Sequence, residues 1–408
     1  MKYTIQAPEK LICTSVSLPA SKSISNRALI LKALSRSTFE IENLSDCDDT
    51  EVMLAAFSAG KYEINIGAAG TSMRFLTAYL SQLEGKEHII TGTERMKNRP
   101  IRILVDALRQ LGADINYLEK EGFPPLKIRG KKLNGGFISL TGNVSSQYIS
   151  ALMMIAPAMT NGLTLQLEGE IISRPYIRLT CQMMQDFGIN VLWKDNLIQI
   201  NPQDFRPASY QVENDWSAAS YWYEILALSP DDTCIELTGL YKDSAQGDSK
   251  IVELFENLGV STEFTESGVC FKKTGTGTSK FIYDFVNEPD MAQTFIVTCC
   301  LLNIPFRFTG LQSLKIKETD RIVALQKELK KLGYVICDYE NSIMEWNGER
   351  CEADENPGID TYEDHRMAMA FAPAALVFGK IIINEPQVVS KSYPDYWEDL
   401  KKAGFYIV

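Results

Sequence analysis

The sequence predicts a mixed α/β protein built from six similar units. Glycines that follow amphipathic helices recur about every 73 residues, at Gly112, Gly188, Gly259, Gly333 and Gly404, with a poorer copy at Gly60. Before each glycine, apolar residues fall at helical spacing, and after it two short runs rich in β-branched and aromatic residues flank a polar turn. A further helix rich in alanine, methionine and leucine belongs to each unit.

The elements of the units follow from this pattern in chain order. The glycines are predicted to be helix C-caps. The second helices are predicted at residues 24–34, 73–83, 148–159, 218–228, 292–302 and 367–377, and two of the hairpins at residues 114–128 and 334–346. The last copy is cut short after Gly404 by a strand over residues 405–408. We expect the strand at residues 2–5 to pair with it, so that both chain ends lie in one domain.

Composition excludes several classes of function. The 408-residue chain has a formal net charge of −11, which opposes binding to nucleic acid or to an anionic membrane. No apolar run of about 18 residues and no signal-like N-terminus is present, so we expect no membrane span and a cytoplasmic location. The nine cysteines form no CxxC pair, and the two histidines are too few for a multi-histidine metal site. Acid–base chemistry therefore falls to carboxylates or lysines.

Basic and hydroxyl residues recur where a loop enters a helix. In PASKSISNR (residues 19–27), Ser23 and Arg27 lie four positions apart on one helix face, and Lys22 lies at the helix start. The N-terminus of a helix favours an anion, so these groups form a candidate phosphate or carboxylate site. A capped, solvated helix end is an equally good interpretation of this motif alone.

Further motifs of this kind are distributed along the chain: GAAGTSMR (67–74), RMKNRP (95–100), NVSSQY (143–148), KIKETDR (315–321), DHRMAMA (364–370) and SKSYPDYW (390–397). The charges of residues 317–321 are also typical of a surface ion-pair network. If the cations instead bind an anion, Glu318 between them can exchange a proton with the bound molecule. The repeat alone is as compatible with a non-catalytic scaffold as with an enzyme.

Taken in order and together with SRPY (173–176), these motifs resemble those of the 5-enolpyruvylshikimate-3-phosphate synthase family over residues 19–397. The resemblance implies an α/β fold of two similar domains, each of three βαβαββ units, the inverse α/β barrel of enolpyruvyl transferases. It implies an inserted domain, residues 20–212, that holds most of the shikimate 3-phosphate site. Residues 1–19 and 213–408 would form the other domain, which carries Asp290, Lys317, Glu318, Arg321, Arg366 and Lys391.

The resemblance also implies which residues bind the two substrates. Shikimate 3-phosphate would be bound by Lys22, Ser23, Arg27, Ser145, Ser146, Gln147, Ser173, Asp290 and Lys317. Phosphoenolpyruvate would be bound by Lys22, Gly70, Arg95, Gln147, Arg321, Arg366 and Lys391. A cationic set of this kind suits a donor that carries both a phosphate and a carboxylate.

The implied reaction needs two proton carriers. Asp290 is the candidate base for the substrate hydroxyl and Glu318 the candidate acid toward C3 of phosphoenolpyruvate, with Lys22 and Lys391 as further catalytic candidates. No metal and no cofactor is implied, because the enol ether is itself the activated group. We expect a monomer whose partners are these two small molecules, with no nucleic acid and no membrane among them.

Three positions depart from the family pattern: Ala68 stands where an Asn is common, Phe75 where a Pro often follows the Arg, and Ser313 where an Asn often contacts the shikimate moiety. The last departure puts Ser313 in doubt as a ligand. The related UDP-N-acetylglucosamine enolpyruvyltransferases share the fold and the donor, but they have Lys-Asn at the first motif and a loop cysteine. Here Ser23 follows Lys22, and residues 111–125 contain no cysteine.

Overall fold

A computed structural model describes residues 1–58, 62–275 and 277–408, so the predicted helix cap at Gly60 lies outside the described residues. The chain divides into two compact units. Unit 1 comprises Met1–Pro19 and Glu213–Val408, and unit 2 comprises Ala20–Val212. The resemblance predicts a division at the same residues.

The elements are numbered in chain order. The first segment of unit 1 contains β1 (Lys2–Gln6) and β2 (Cys13–Ser17). Unit 2 contains α1 (Lys22–Ser35), β3 (Ile41–Glu42), α2 (Asp48–Ser58), β4 (Glu63–Asn65), α3 (Gly70–Ser81), β5 (Glu87–Thr91), α4 (Glu94–Lys97), α5 (Arg102–Gln110), β6 (Asp114–Tyr117), β7 (Leu126–Arg129), β8 (Gly136–Thr141), α6 (Ser146–Ile155), β9 (Leu163–Glu168), α7 (Arg174–Asp186), β10 (Leu192–Lys194), β11 (Leu197–Ile200) and β12 (Tyr210–Gln211).

The second segment of unit 1 contains the remaining elements: α8 (Trp216–Leu228), β13 (Cys234–Thr238), α9 (Ile251–Glu256), β14 (Val260–Phe264), β15 (Gly268–Lys273), β16 (Phe281–Asp284), α10 (Ala292–Leu301), β17 (Phe306–Thr309), α11 (Arg321–Lys331), β18 (Cys337–Tyr339), β19 (Ile343–Trp346), β20 (Gly358–Ile359), α12 (His365–Phe371), α13 (Ala375–Phe378), β21 (Lys380–Asn384), α14 (Tyr396–Lys402) and β22 (Tyr406–Ile407).

Over the described ranges, the strands form five four-stranded sheets and one two-stranded sheet. Unit 1 has the orders β20-β21-β1-β22, β14-β15-β13-β2 and β16-β17-β19-β18, and unit 2 has β4-β5-β7-β6, β10-β11-β9-β8 and β12-β3. Each four-stranded sheet has one parallel pair, such as β4 with β5, followed by antiparallel neighbours. A parallel pair needs a crossover, and helices such as α3, α6 and α10 supply it. The predicted fold class is confirmed.

The crossover helices form the centre of each unit. In unit 2, helices α1, α3 and α6 contact one another, and in unit 1 helices α8, α10 and α12 do the same. Every residue of α10 is buried, as expected for a helix that is apolar on all sides. Each unit has its own hydrophobic core around its three central helices.

The chain ends meet as the sequence predicts. Strand β1 pairs antiparallel with β21 on one side and with β22 on the other, where Ile5 lies opposite Ile407. The N-terminal strand therefore completes the sheet that the last unit cannot complete by itself. The predicted glycine caps are also confirmed, because Gly112, Gly188, Gly259, Gly333 and Gly404 all have positive φ after a helix.

Two features differ from the predictions. The helices expected at 148–159 and 367–377 are interrupted: 3-10 turns at Ala156–Ala158 and Ala372–Ala374 follow α6 and α12. Each turn contains a proline, Pro157 or Pro373, which lacks the N–H that an α-helix requires. The first of the six sequence repeats, which lies in unit 2, also has a two-stranded sheet, β12-β3, instead of a four-stranded one.

Candidate active site

In unit 2, the second turns of three helices meet around the guanidinium of Arg27. Its Nε donates to the hydroxyl of Thr180 at 2.7 Å, Nη1 to the backbone oxygen of Ser23 at 2.8 Å, and Nη2 to the hydroxyl of Ser150 at 3.3 Å. Arg27 is 2% exposed, and burial lowers its pKa to about 10, so it remains protonated at neutral pH. Helices α1, α6 and α7 are thereby joined at one level.

The aromatic ring of Phe75 also contacts the guanidinium of Arg27. The Arg27 guanidinium carbon lies 5.3 Å from the ring centroid, which is within the range of a cation–π contact. Phe75 is one of the positions at which the chain departs from the family pattern. A proline there would offer no aromatic face to Arg27.

The N-termini of α3 and α6 also come together in unit 2. Gln147, in the first turn of α6, donates its side-chain amide to the hydroxyl of Thr71 at 3.1 Å, and Thr71 is the second residue of α3. Ser145 is the N-cap of α6, and its hydroxyl accepts from the backbone N–H of Gln147 at 3.3 Å. Two helix N-termini with unused backbone donors are a favourable environment for an anion.

Two arginines converge on Gly70 at the start of α3. A Cβ on this glycine would lie 2.7 Å from Nη1 of Arg99 and 2.8 Å from Nη1 of Arg74, so a larger residue would displace one or both guanidinium groups. Arg74 donates to the backbone oxygen of Gly70 at 2.8 Å and packs against the ring of Tyr148. Sequence analysis placed Gly70 in the site, but it assigned neither of these arginines.

The other predicted residues of unit 2 lie at helix starts. Lys22 and Ser146 are the first residues of α1 and α6, and Arg95 is the second residue of α4. Ser173 immediately precedes α7 and has a φ of 53°. This left-handed conformation is uncommon for a residue other than glycine and is a sign of a constrained position.

In unit 1, the charged side chains are organised around Arg321. Its guanidinium contacts three carboxylates: Asp364 at 2.7 Å, Asp290 at 2.9 Å and Glu318 at 2.9 Å. Arg321 is 1% exposed. Burial alone would lower its pKa, but the three acids outweigh burial and raise it, so the charge is permanent. This arginine therefore fixes the positions of both candidate proton carriers, Asp290 and Glu318.

Asp290 is surrounded by cations. Its Oδ1 lies 3.0 Å from Nζ of Lys317, and its Oδ2 lies 3.6 Å from Nη2 of Arg366. Burial acts to raise the pKa of Asp290, but Lys317, Arg366 and Arg321 together hold it well below its usual range. Asp290 is thus a carboxylate whose proton affinity is set by the cations next to it.

Arg366 links the N-termini of α8 and α12. Its Nη2 donates to the hydroxyl of Ser217 at 2.8 Å, and this hydroxyl donates in turn to Asp248 at 2.9 Å. Nη1 of Arg366 lies 3.4 Å from the hydroxyl of Tyr221. The N-termini of two central helices of unit 1 therefore meet beside Asp290, as α3 and α6 do in unit 2.

Glu318 lies between two cations. Its Oε2 accepts from Arg321, and its Oε1 lies 3.8 Å from Nζ of Lys391. This separation exceeds hydrogen-bond distance, so a proton can pass between the carboxylate and the amine through one water or after a small approach of the two side chains. Lys391 ends the 3-10 helix Pro386–Lys391, which follows β21.

Sequence analysis missed several residues of both clusters. Asp364 is fully buried, contacts Arg321 and caps α12 by accepting from the N–H of Arg366. Its position before an alanine- and methionine-rich helix is a recognisable N-cap signal. Ser150 and Thr180 have only a weak signal, a single polar residue in a buried helix face. Ser313 is buried, and its hydroxyl has no partner among the described residues.

The site shows no sign of a metal centre or a membrane segment among the described residues. Among the residues described, no group of three or more histidine, cysteine, aspartate and glutamate side chains is placed to hold a metal ion. Over the same residues, no helix is long and apolar enough to cross a membrane.

Known proteins similar to this chain are consistent in their names. The family described as EPSP synthase (3-phosphoshikimate 1-carboxyvinyltransferase) matches residues 6–64 and 55–400. A 3-phosphoshikimate 1-carboxyvinyltransferase of Bacteroides fragilis is 62% identical over 408 residues, which cover 100% of this chain and 99% of the relative. A protein of the same name from Psychromonas ingrahamii is 37% identical, with 99% and 100% of the two chains covered.

Solved structures share the fold. An EPSP synthase from Acinetobacter baumannii has a TM-score of 0.79 at 21% identity, with 100% of this chain and 99% of that chain covered. The enolpyruvyl transferase NikO from Streptomyces tendae has a TM-score of 0.75 at 17% identity, with 100% and 98% covered. At these identities, the structural likeness is evidence for the fold alone.

Proposed function

The chain belongs to the EPSP synthase family, and from this premise we propose that it transfers the 1-carboxyvinyl group of phosphoenolpyruvate to the 5-hydroxyl of shikimate 3-phosphate. The hydroxyl oxygen adds to C2 of phosphoenolpyruvate while a proton is added to C3. The resulting tetrahedral intermediate then loses phosphate from C2 and a proton from C3, which restores the carbon–carbon double bond. The net products are the enol ether and inorganic phosphate.

The polar groups of unit 2 are proposed to bind the anionic substrates. Lys22, Ser23, Arg27, Ser145, Ser146, Gln147 and Ser173 bind shikimate 3-phosphate, while Gly70, Arg95 and Gln147, again with Lys22, bind phosphoenolpyruvate. The meeting of the α3 and α6 N-termini supports this assignment, since backbone N–H groups and hydroxyls are good donors to phosphate. The contacts of Arg27 with Thr180 and Ser150 also hold α1, α6 and α7 together.

The charged groups of unit 1 are proposed to carry protons. Asp290 accepts the proton of the 5-hydroxyl, and Glu318 gives a proton to C3, with Lys391 and Lys22 as further participants. Arg321, Arg366 and Lys391 stabilise the charge of phosphoenolpyruvate and of the departing phosphate, and Lys317 and Asp290 also contact shikimate 3-phosphate.

The low pKa of Asp290 makes it a weak base as long as no other anion binds the neighbouring cations. An anion bound to Lys317 or Arg366 would share their charge, and the pKa of Asp290 would rise toward the value that proton abstraction needs. Substrate binding would thereby activate the base.

A single observation carries the assignment of these roles. Asp290 and Glu318 bind different nitrogens of the same guanidinium, that of Arg321, so two candidate proton carriers are held at fixed positions by one buried cation. The similarity of the whole chain to named 3-phosphoshikimate 1-carboxyvinyltransferases supports the reaction itself. We propose that the enzyme acts as a monomer. Its nine unpaired cysteines support a cytoplasmic location.

Phosphate release tests the proposed function. The purified chain should release phosphate only when phosphoenolpyruvate and shikimate 3-phosphate are both present, and mass spectrometry should detect the enolpyruvyl product. Release with UDP-N-acetylglucosamine in place of shikimate 3-phosphate would identify the related transferase instead. If no phosphate is released with either acceptor, although circular dichroism shows that the chain is folded, the result would favour a non-catalytic scaffold.

A further inference from the structure

Three cysteines lie together on one face of the sheet β14-β15-β13-β2 in unit 1. Along β2, β13 and β15, buried residues such as Val16, Leu237 and Phe271 alternate with residues that are exposed or partly exposed. Cys13, Cys234 and Cys270 are among the exposed or partly exposed residues, so their side chains project from the outer face of the sheet. None of them takes part in the proposed reaction.

Cys13 and Cys234 are direct neighbours across the sheet. Strands β2 and β13 are parallel, and their register places Cys13 opposite Cys234. Adjacent strands are about 4.8 Å apart, which lies within the Cα separation of about 4.4–6.8 Å that a disulfide spans. Cys270 lies opposite Glu236 and is thus only a diagonal neighbour of Cys234. Diagonal positions are about 7–8 Å apart, which is less suitable for a disulfide.

The surroundings of the two thiols give them different properties. Cys13 is exposed and lies on β2, which is the edge strand of its sheet. The thiol of Cys234 interacts with the thiols of both Cys13 and Cys270, and the ammonium of Lys272 acts to stabilise its thiolate. Burial and the neighbouring Cys270 nevertheless raise the pKa of Cys234. Cys13 is exposed and Cys234 only partly so, and Cys13 is therefore the thiol that a dissolved oxidant reaches first.

We propose that Cys13 and Cys234 form an oxidant-sensitive dithiol that closes to a disulfide in the presence of a peroxide. The Cys13 thiolate, whose proton has passed to water, attacks one peroxide oxygen. The S–O bond forms, the O–O bond breaks, and the departing hydroxide takes up a proton, which leaves a sulfenic acid and one water. The sulfur of Cys234 then attacks the Cys13 sulfur, so that the S–S bond forms and the S–O bond breaks, and the departing hydroxide takes the thiol proton of Cys234 and leaves as a second water. One hydrogen peroxide is reduced to two waters, and the two thiols are oxidised to one disulfide. A dithiol reductant reverses the change.

The disulfide would join an edge strand to the interior of its sheet. Strand β2 is held in this sheet by β13 on one side only. A covalent link between the first residues of the two strands would prevent β2 from separating from β13. This inference does not depend on the proposed enzymatic activity.

Peptide mapping tests the proposal. The fully reduced chain would be treated with about one equivalent of hydrogen peroxide, alkylated with iodoacetamide, and digested with trypsin without reduction. Cleavage after Lys and Arg, except at Arg206, which precedes a proline, places Cys13 in peptide 11–22, Cys234 in peptide 195–242 and Cys270 in peptide 251–272, each as the one cysteine of its peptide. We expect a crosslink between peptides 11–22 and 195–242, and its loss after treatment with dithiothreitol.

Single substitutions identify the partners. Cys13→Ser and Cys234→Ser should abolish the crosslink, while Cys270→Ser should leave it intact. The matched control is Cys181→Ser, which removes a partly buried thiol on α7 of unit 2 and should also leave the crosslink intact. A crosslink between peptides 195–242 and 251–272 would overturn the proposal. Persistence of all nine thiols, or dimers as the sole product on a non-reducing gel, would overturn it as well.

Discussion

Arg27 in unit 2 and Arg321 in unit 1 are both almost fully buried, but the partners of Arg27 are neutral and those of Arg321 are negatively charged. Arg27 contacts hydroxyls, backbone oxygens and an aromatic ring, and burial lowers its pKa to about 10. Arg321 contacts three carboxylates, which raise its pKa. The guanidinium of unit 2 thus keeps a net positive environment, whereas that of unit 1 is compensated by acids.

The difference indicates a division of chemical work between the two units. A cation among neutral dipoles attracts an anion without supplying a proton carrier. A cation among carboxylates instead holds acids and bases in position and sets their pKa values. We therefore propose that the groups of unit 2 mainly bind substrate, and that unit 1 carries the proton-transfer groups together with further cations for phosphoenolpyruvate.

The largest effect should come from the carboxylates of unit 1. Asp290→Asn and Glu318→Gln should each lower kcat by about 10²–10⁴-fold with much smaller changes in KM, as expected for a lost general base or acid. Steady-state phosphate release measures both constants. Glu87→Gln is the control, since Glu87 of unit 2 is also paired with cations, Arg129 and Lys127, and should keep the parental kcat. A rise in KM alone for the two variants would assign Asp290 and Glu318 to binding.

The two buried arginines should differ in their contribution to stability. Arg321→Met leaves three carboxylates without their common cation and should lower the free energy of unfolding by about 3–5 kcal/mol. Arg27→Met leaves only neutral groups without a donor and should cost about 1–3 kcal/mol. Urea unfolding followed by circular dichroism gives both values. Equal losses, or a larger loss for Arg27→Met, would contradict the contrast between the two environments.

Unit 1 should also account for a decrease in stability as the pH rises. Burial raises the pKa of Glu288 to about 7, from 4.5, and Tyr283 donates a hydrogen bond to it at 3.0 Å. The folded state binds the proton of Glu288 more tightly than the unfolded state does. Protonated Glu288 therefore adds its full contribution to the free energy of unfolding below pH 4.5, and this contribution is lost as the pH rises to about 7. The shift in pKa corresponds to about 3 kcal/mol of unfolding free energy.

Glu288→Gln should remove this pH dependence, because glutamine keeps an acceptor for Tyr283 and carries no charge. We expect the variant to be more stable than the parent at pH 8 and similar to it at pH 4.5. Urea midpoints at the two pH values measure the effect. Parallel pH profiles for the parent and the variant would show that Glu288 is not the responsible group.

The smallest effect concerns the helix start in unit 2. Ser145→Asp retains an N-cap for α6, since aspartate caps a helix as well as serine does, but it places a negative charge where an anion is proposed to bind. The KM for shikimate 3-phosphate should rise by about 10-fold, while thermal stability changes little. Ser145→Thr keeps both the cap and the hydroxyl and should behave like the parent. An unchanged KM in Ser145→Asp would remove Ser145 from the binding site.

Much of the fold could be predicted because each unit repeats one local pattern. Apolar residues at helical spacing before Gly112 and Gly333 gave the outer helices and their caps, and the pairing of β1 with β22 followed from the missing strand of the last unit. The breaks at Pro157 and Pro373 were foreseeable from the imino acid itself. The two-stranded β12-β3 sheet was not, because its strands are too short to give a pattern of their own.

The sequence by itself determined the family, the repeated α/β architecture and the chemical kinds of side chain in the site, because these depend on local periodicity and on ordered motifs. The tertiary structure decided which partner each side chain has. Arg321 and Asp364 are 43 residues apart and Arg27 and Thr180 are 153 apart, and no local pattern relates such pairs. Burial forces polar side chains to find partners, and those partners decide that Arg321 is compensated by acids while Arg27 has only neutral neighbours.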